Sequence, residues 1–367
     1  MKSGYLRVPA ESVRRQILEI LGAWGMADDL AATTAEAMVE TDLMGIDSHG
    51  LSMLMMYETF QTNGQLDLSA RPRVVLDAPA TALVDGGANL GHPVADFAMR
   101  FAVGKARQAG IGAIGVRNSH HFGAAGHYAR IASSAGVIGL ITSSARTVLM
   151  VPTRGTLPLL GANPIAFAAP ALRHRPFVLD ISTTTVAANK VKVYDLNNKP
   201  IPEGWVTDEA GAPVTDSAEA MDVIFRRPGG GVTPLGGAEV TGGHKGYGLG
   251  VMVQVLSATL TGAAFGPIRD RARVPGQPDD VGHFFLAIDP RAFRPAGGFE
   301  DDMDAMLDVL RTSPAADPAW PVLVPGDPEA EERARRLEAG IPIPRTLDRH
   351  VRDICARCGA AYVLADG

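Results

Sequence analysis

The run Gly110-Ile111-Gly112-Ala113-Ile114-Gly115 spells a dinucleotide-binding loop in the reverse structural order. A G-x-G-x-x-G loop of that kind leaves a strand and opens a helix, so that helix-terminal N–H groups meet a pyrophosphate. Upstream of Gly110, Val94, Phe97, Ala98, Phe101 and Ala102 recur on one helical face. Downstream, Ile111 to Val116 is a β-rich run. The spacing therefore predicts a helix ending near Ala109 and a strand leaving through Val116. The glycines stop that helix and let it pack closely on the strand. This order argues against a Rossmann fold, so any dinucleotide the chain holds is held another way.

The rest of the chain changes texture twice. Helical spacing governs the first third: Val13, Ile17, Ile20, Leu21 and Trp24 after Ser12, then Leu30, Thr34, Met38 and Thr41 after Asp28 or Asp29. A third helix, capped by Asp47 or Ser48, carries Leu51, Leu54, Met55 and Phe60. From about Ala70, short β-rich runs take over at Arg73–Leu76, Ala82–Val84, Ile111–Val116, Val137–Thr142 and Phe177–Ile181, with His283–Ile288 later. Helices are expected over Ala124–Ser134 and, buried, after Lys245. Helix returns at Asp301–Arg311, Glu329–Glu338 and Leu347–Cys358. The proline-rich Thr312–Pro328 is a connector, with Val322–Val324 as a short strand inside it. The expected fold is α/β, mixed and non-Rossmann. A central mixed-sheet domain, residues 73–290, packs against a helical domain made of two separate segments, residues 1–72 and 291–367.

Composition narrows the class of partner. The chain has 367 residues and a formal net charge of −6, with no basic run to neutralise a row of phosphates, so nucleic acid is not an expected partner. No stretch reaches the roughly 18–20 apolar residues of a membrane helix. The first residues lack the apolar core of a signal peptide. Cys355 and Cys358 stand alone, without a second pair or a histidine at ligand spacing, and read as two reduced thiols. Low cysteine use fits the cytoplasm.

Four segments carry candidate chemistry. In Asp47-Ser48-His49-Gly50, a histidine at a helix start can exchange a proton near neutral pH, although a capping Asp-Ser before a surface histidine reads equally well. Arg117-Asn118-Ser119-His120-His121-Phe122-Gly123 leaves the carboxyl end of a strand, where α/β proteins place ligands. His120, His121 and His127 invite a metal, but adjacent histidines diverge and His127 falls on another helix face. No metal is expected, and a proton-transfer role for one histidine is the better reading. Asp180-Ile181-Ser182-Thr183-Thr184 ends a strand in an acid and hydroxyls that can meet ribose or phosphate oxygens, or else cap a helix. Lys245-Gly246, at the start of a helix, reads as a phosphate or carboxylate site or as a surface loop.

These segments, taken in order, resemble the malate/L-lactate dehydrogenase family, whose members lack a Rossmann fold. The blocks are Asp47-Ser48-His49-Gly50, Asn118-Ser119-His120-His121-Phe122-Gly123, Asn163-Pro164-Ile165-Ala166-Phe167, Lys245-Gly246-Tyr247-Gly248, Gly282-His283-Phe284-Phe285 and Val324-Pro325-Gly326-Asp327-Pro328-Glu329. The resemblance spans about Leu30 to Pro344. It implies hydride transfer between NAD or NADP and the C2 carbonyl, or imine, of a small 2-oxo acid, in a homodimer. It implies His49, with Ser48 beside it, as proton donor and His121 as the rival acid/base. It implies cofactor contacts at Asp180, Ile181, Ser182, Thr183, Thr184, Lys245, Gly246, His283, Phe284, Pro325, Gly326 and Asp327.

One position departs from the family pattern. Relatives usually carry an arginine four residues after the Ser-His histidine, where it holds the substrate carboxylate. Here that residue is Met53. Loss of a bidentate anchor implies a bulkier or more apolar substrate, or a substitute cation such as Arg117 or Arg146. Ala188-Asn189 also stands before Lys190 where relatives often have arginine, which leaves NAD and NADP both open. Two rival classes remain: a metal-dependent hydrolase built on His120, His121 and His127, and a non-catalytic binding protein on the same fold.

Overall fold

The computed structural model describes residues 5–272 and 274–364. A short strand, β1 (Tyr5–Val8), precedes α1 (Ala10–Ala23) and α2 (Asp28–Leu43). A turn of 3-10 helix, Leu51–Met53, then leads into α3 (Leu54–Thr62). The sheet region begins with β2 (Arg73–Asp77), β3 (Thr81–Asp85), α4 (Gly91–Ala109), β4 (Ile111–Ser119), α5 (Ala125–Ser134), β5 (Ile138–Ser143), β6 (Ile165–Ala169) and β7 (Phe177–Ile181). A small lobe follows: α6 (Ala188–Leu196), β8 (Val206–Thr207), β9 (Pro213–Val214), α7 (Ser217–Phe225) and β10 (Gly231–Val232). The chain closes with α8 (Gly243–Gln254), a π turn at Val255–Thr259, α9 (Gly266–Arg271), β11 (Val281–Ile288), α10 (Gly298–Arg311), α11 (Asp327–Ala339), β12 (Ile341–Pro344) and α12 (Arg345–Cys358).

The glycine run behaves as its spacing predicts. Gly110 ends α4 in the left-handed region at φ 81°, and β4 leaves directly after it. A Cβ on Gly112 would lie 2.2 Å from the carbonyl oxygen of Ala102, so only glycine lets strand and helix approach this closely. α4 turns Val94, Ala98, Met99, Ala102 and Ala106 into the core; each larger aliphatic chain buried there contributes roughly 1.5–3 kcal/mol.

The large sheet has seven strands in the order β2-β3-β4-β11-β5-β6-β7. Only β3 and β4 pair in parallel, and every other neighbour is antiparallel, so the sheet is mixed as expected. That pattern puts the carboxyl ends of β4, β5 and β7 and the amino end of β11 on one edge. Separate apolar clusters lie beneath the helices, the sheet and the small lobe. The helical cluster joins Val8–Leu90 to Ile341–Leu364, so the two ends of the chain share one core. Residues 1–4 and 365–367, at the limits of those end segments, lie outside the described residues.

Four local expectations change. Val322–Val324 forms no strand. The helix after Lys245 is not buried all round: Val251, Met252, Val255 and Leu260 along α8 and the π turn are exposed. Strands β1, β6 and β12 and the small lobe were not expected; the lobe's strands β8, β9 and β10 have two residues each, too few to show any alternation. Finally, neither Asp47 nor Ser48 caps the third helix. The Leu51 amide instead donates to the buried Asp42 carboxyl at 2.8 Å, and Asp47 pairs with Arg336.

Candidate active site

The shared strand edge opens onto a cavity of about 660 Å³, within the range of small-molecule sites. Its wall comes from Ile46, Ser48 and His49 of the turn before α3, Met53 and Met56, the loop His121–Gly126, Ser143–Thr147 after β5, and Asp180–Ser182 at the end of β7. Helix α5 adds His127 and Arg130, and α11 adds Glu329. Ser48, His49, His121, Met53, Arg146, Asp180, Ile181 and Ser182 thus share one space.

His49 and His121 face each other with ring centroids 5.4 Å apart. Ser48 Oγ lies 2.7 Å from Nδ1 of His49. Burial pushes the His49 imidazole below the ordinary histidine range. Ser48 and His49 stand outside the helix that starts at Leu51, so desolvation and not a helix dipole is the cause. His121 is driven well below the ordinary value by burial and by the neighbouring histidines. The Tyr57 hydroxyl lies 2.8 Å from its Nδ1, and the Gly123 N–H approaches the same nitrogen at 3.4 Å. Behind them His92, buried and about 3 in pKa through desolvation, stands edge-on to Tyr57 with centroids 5.6 Å apart.

The turn carrying His49 is held from both sides. Arg336, on α11, donates to the Asp42 carbonyl at 2.7 Å and pairs with Asp47 and Glu332. Asp42, fully desolvated, has its carboxyl pushed up to about 8. A Cβ on Gly50 would fall 1.9 Å from its Oδ1, so the turn closes only around glycine.

The two proposed substitute cations part company. Arg146 lines the cavity, pairs with the buried Asp279 and lies 4.6 Å from the Phe60 ring centroid. Arg117 does not line it and stands 4.0 Å from Asp85. At the strand end, Asp180 accepts the Gly126 N–H at 2.7 Å, and desolvation raises its carboxyl. Thr183 and Thr184 turn inward, to the Ala162 and Val186 carbonyls.

The remaining expected cofactor residues are not among those lining the cavity. His283 is buried on β11, its Nδ1 2.8 Å from Ser143 Oγ and its ring stacked 4.6 Å from Phe122. Phe284 lies beside it, half-buried. Pro325 accepts the Val178 amide at 3.2 Å, and Gly326 packs on Val178. Asp327 pairs with Arg311. Lys245 is exposed and Gly246 buried in the first turn of α8.

The histidine trio does not gather around a metal. His120 Nε2 is 3.2 Å from the Gln65 carbonyl, His121 turns to Tyr57, and His127 packs edge-on against Tyr128. Among the described residues no three ligating side chains converge. Sequence reading missed Tyr57, Arg130, Asp42, Asp279 and Arg336. Tyr57 alone had a local signal, one helical turn after Met53.

The family model for malate/L-lactate dehydrogenase matches residues 8–352. A malate dehydrogenase of Pyrococcus horikoshii is 36% identical over 359 residues, 97% of this chain and 96% of the relative. An L-sulfolactate dehydrogenase of Methanocaldococcus jannaschii is 32% identical over 349 residues, 95% and 96% of the two chains. The crystal structure of malate dehydrogenase from Entamoeba histolytica superposes with a TM-score of 0.92 at 26% identity, covering 97% of this chain and 99% of that one. With a matching fold, an unbroken family match and a paired-histidine cavity on one edge of the sheet, this chain belongs to the malate/L-lactate dehydrogenase family and is a dehydrogenase.

Proposed function

We propose that this enzyme transfers a hydride between NADH or NADPH and the C2 carbonyl, or imine, of a small 2-oxo acid, giving the 2-hydroxy or amino acid. The observation that carries the reading is the pairing of His49 and His121 in one cavity with the Asp180–Ser182 strand end. The cavity suits a dinucleotide. Gly123–Gly126 line it with nothing larger than a methyl group, so the backbone can approach a bound molecule closely. Asp180 and Ser182 supply acceptors suited to ribose hydroxyls. The nicotinamide, when bound, supplies the hydride chemistry.

The chain supplies the proton and the orientation. With Nδ1 of His49 engaged by Ser48, Nε2 is the atom left to protonate the developing alkoxide oxygen. His121 is the rival for that role. This reading assigns the substrate carboxylate to Arg146, which lines the cavity, with Met53 giving that wall an apolar surface suited to a bulkier side chain. Thr183, Thr184, Lys245, Gly246, His283, Phe284, Pro325, Gly326 and Asp327 are the further residues this reading assigns to cofactor contact.

The same reading makes the enzyme a cytoplasmic homodimer, and the exposed apolar side chains of α8 and the π turn support a buried face between copies. It divides the chain into helical segments 1–72 and 291–367 around an α/β cofactor domain, 73–290. The test is a panel of 2-oxo acids and cyclic imines, following NADH and NADPH oxidation in parallel. Turnover of at least one is expected. Oxidation of neither cofactor with any of them would sink the reading, and fast turnover of pyruvate and oxaloacetate would remove the altered-substrate role of Met53.

A further inference from the structure

Among the described residues two arginines line the cavity, and they are in different states. Arg146 is neutralised by the buried Asp279. Arg130, on α5, makes no ion pair within 4 Å among the described residues, and its one side-chain hydrogen-bond partner is the sulfur of Met44. A thioether is a weak acceptor, so this guanidinium lacks the oxygen partner that a largely desolvated cation calls for. Burial accordingly lowers its pKa.

The carboxylates around it are near enough to act but do not close on it. Glu40 gives both oxygens to Arg333, each at 2.8 Å. Asp180 accepts the Gly126 amide. Glu329 acts on Arg130 electrostatically from the cavity wall, with Arg333 opposing. His127, one turn earlier on α5, is neutral-leaning because of burial and adds little charge.

We propose that Arg130 is an oxyanion-binding residue of the active site, open for a phosphate or carboxylate oxygen. The inference rests on the reductase reading above, which offers two such groups: the cofactor's diphosphate and the substrate's carboxylate. It shares the strand-end side of the cavity with Asp180 and Glu329, the side assigned above to the cofactor, and that position, not its acidic neighbours, favours the diphosphate. A guanidinium presents a planar fork to two oxygens at once, so lysine reproduces its charge but not its geometry.

The test compares wild type, Arg130→Met and Arg130→Lys, with far-UV circular dichroism and melting curves as the check of folding. NADH binding is followed by fluorescence, and the NADH complex is then titrated with oxamate as a carboxylate probe. The expected result is NADH binding weakened about tenfold or more in Arg130→Met and less in Arg130→Lys, with oxamate affinity retained. Unchanged NADH binding with oxamate weakened about tenfold would keep the oxyanion site and assign it to the substrate. Changes below about twofold in both, in folded variants, would overturn the proposal. Wild-type protein gives a check that needs no variant: inorganic pyrophosphate should compete with NADH, and failure to compete counts against the diphosphate assignment. If the wild type binds neither NADH nor NADPH, the reductase reading falls and this inference with it. If it binds them and Arg130 has no effect, only the inference falls.

Discussion

The hydroxyl of Tyr57 and the Gly123 amide both point at Nδ1 of His121, the hydroxyl from 2.8 Å. Burial keeps the phenol protonated. With a hydroxyl able to donate and an amide that can only donate, Nδ1 serves as acceptor and the ring proton sits on Nε2. Tyr57 thus selects the tautomer of His121. A net hydrogen bond is worth about 0.5–1.5 kcal/mol, so Tyr57→Phe should lower kcat about two- to tenfold while the fold survives. Steady-state kinetics with melting curves checks this, and an unchanged kcat would show that the tautomer does not matter.

The pH dependence separates the two histidines. Burial lowers both, so each loses its proton below the ordinary histidine range of about 6.5. In the reductive direction the donor must be protonated, so kcat/KM should fall as pH rises through that lowered pKa. In the oxidative direction the base must be neutral, so kcat/KM should rise and level off. His49→Ala should lose this limb and about 10²–10⁴ in rate if His49 is the donor. Retention of the limb in that variant, with its loss in His121→Ala, would transfer the role to His121.

Asp42 links the site to stability. Its carboxyl is raised to about 8 in the folded protein, against about 3.9 when unfolded. Below about pH 4 both states hold the proton. Between about 4 and 8 only the folded state does, so this residue's contribution to stability declines as pH rises and levels off above about 8. Asp42→Asn should therefore melt at a temperature that gains on the wild type across that window. A constant difference between the two proteins would mean that Asp42 is already ionised.

Gly50 is locked against the same carboxyl. Gly50→Ala places a Cβ 1.9 Å from Asp42 Oδ1, and the turn must shift. The expected cost is about 1–3 kcal/mol of stability, with a fall in kcat because His49 moves with the turn. Adding Asp42→Ala to make room should recover part of the stability. Equal loss in the single and double variants would place the strain elsewhere.

Exhaustive chelation should leave activity unchanged. His120, His121 and His127 are each turned to a different protein neighbour. Rates before and after EDTA dialysis, with metal content by mass spectrometry, check this; chelator-sensitive turnover restored by zinc would revive the hydrolase class.

Much of the fold could be read locally. The helix–glycine–strand order at Ala109–Val116, the amphipathic face of α4 and the β-rich runs each depend on neighbours within a few residues, and the structure keeps them. The two-residue strands of the small lobe could not be read this way, because so short a run shows no alternation.

The active site divides along the same line. Its ordered blocks, among them Asp47-Ser48-His49-Gly50, were visible as letters in the sequence and pointed to the family. How those letters act was decided by contacts between distant residues. Tyr57 meets His121 across 64 positions, and Arg336 reaches Asp47 across 289. Whether Arg117, Arg130 or Arg146 keeps an uncompensated charge depends on which carboxylate packs beside it. Hydrophobic period is a property of a short segment, so sequence alone specifies the elements. Charge pairing, desolvation and tautomer depend on which elements meet, so only the tertiary structure decides the chemistry.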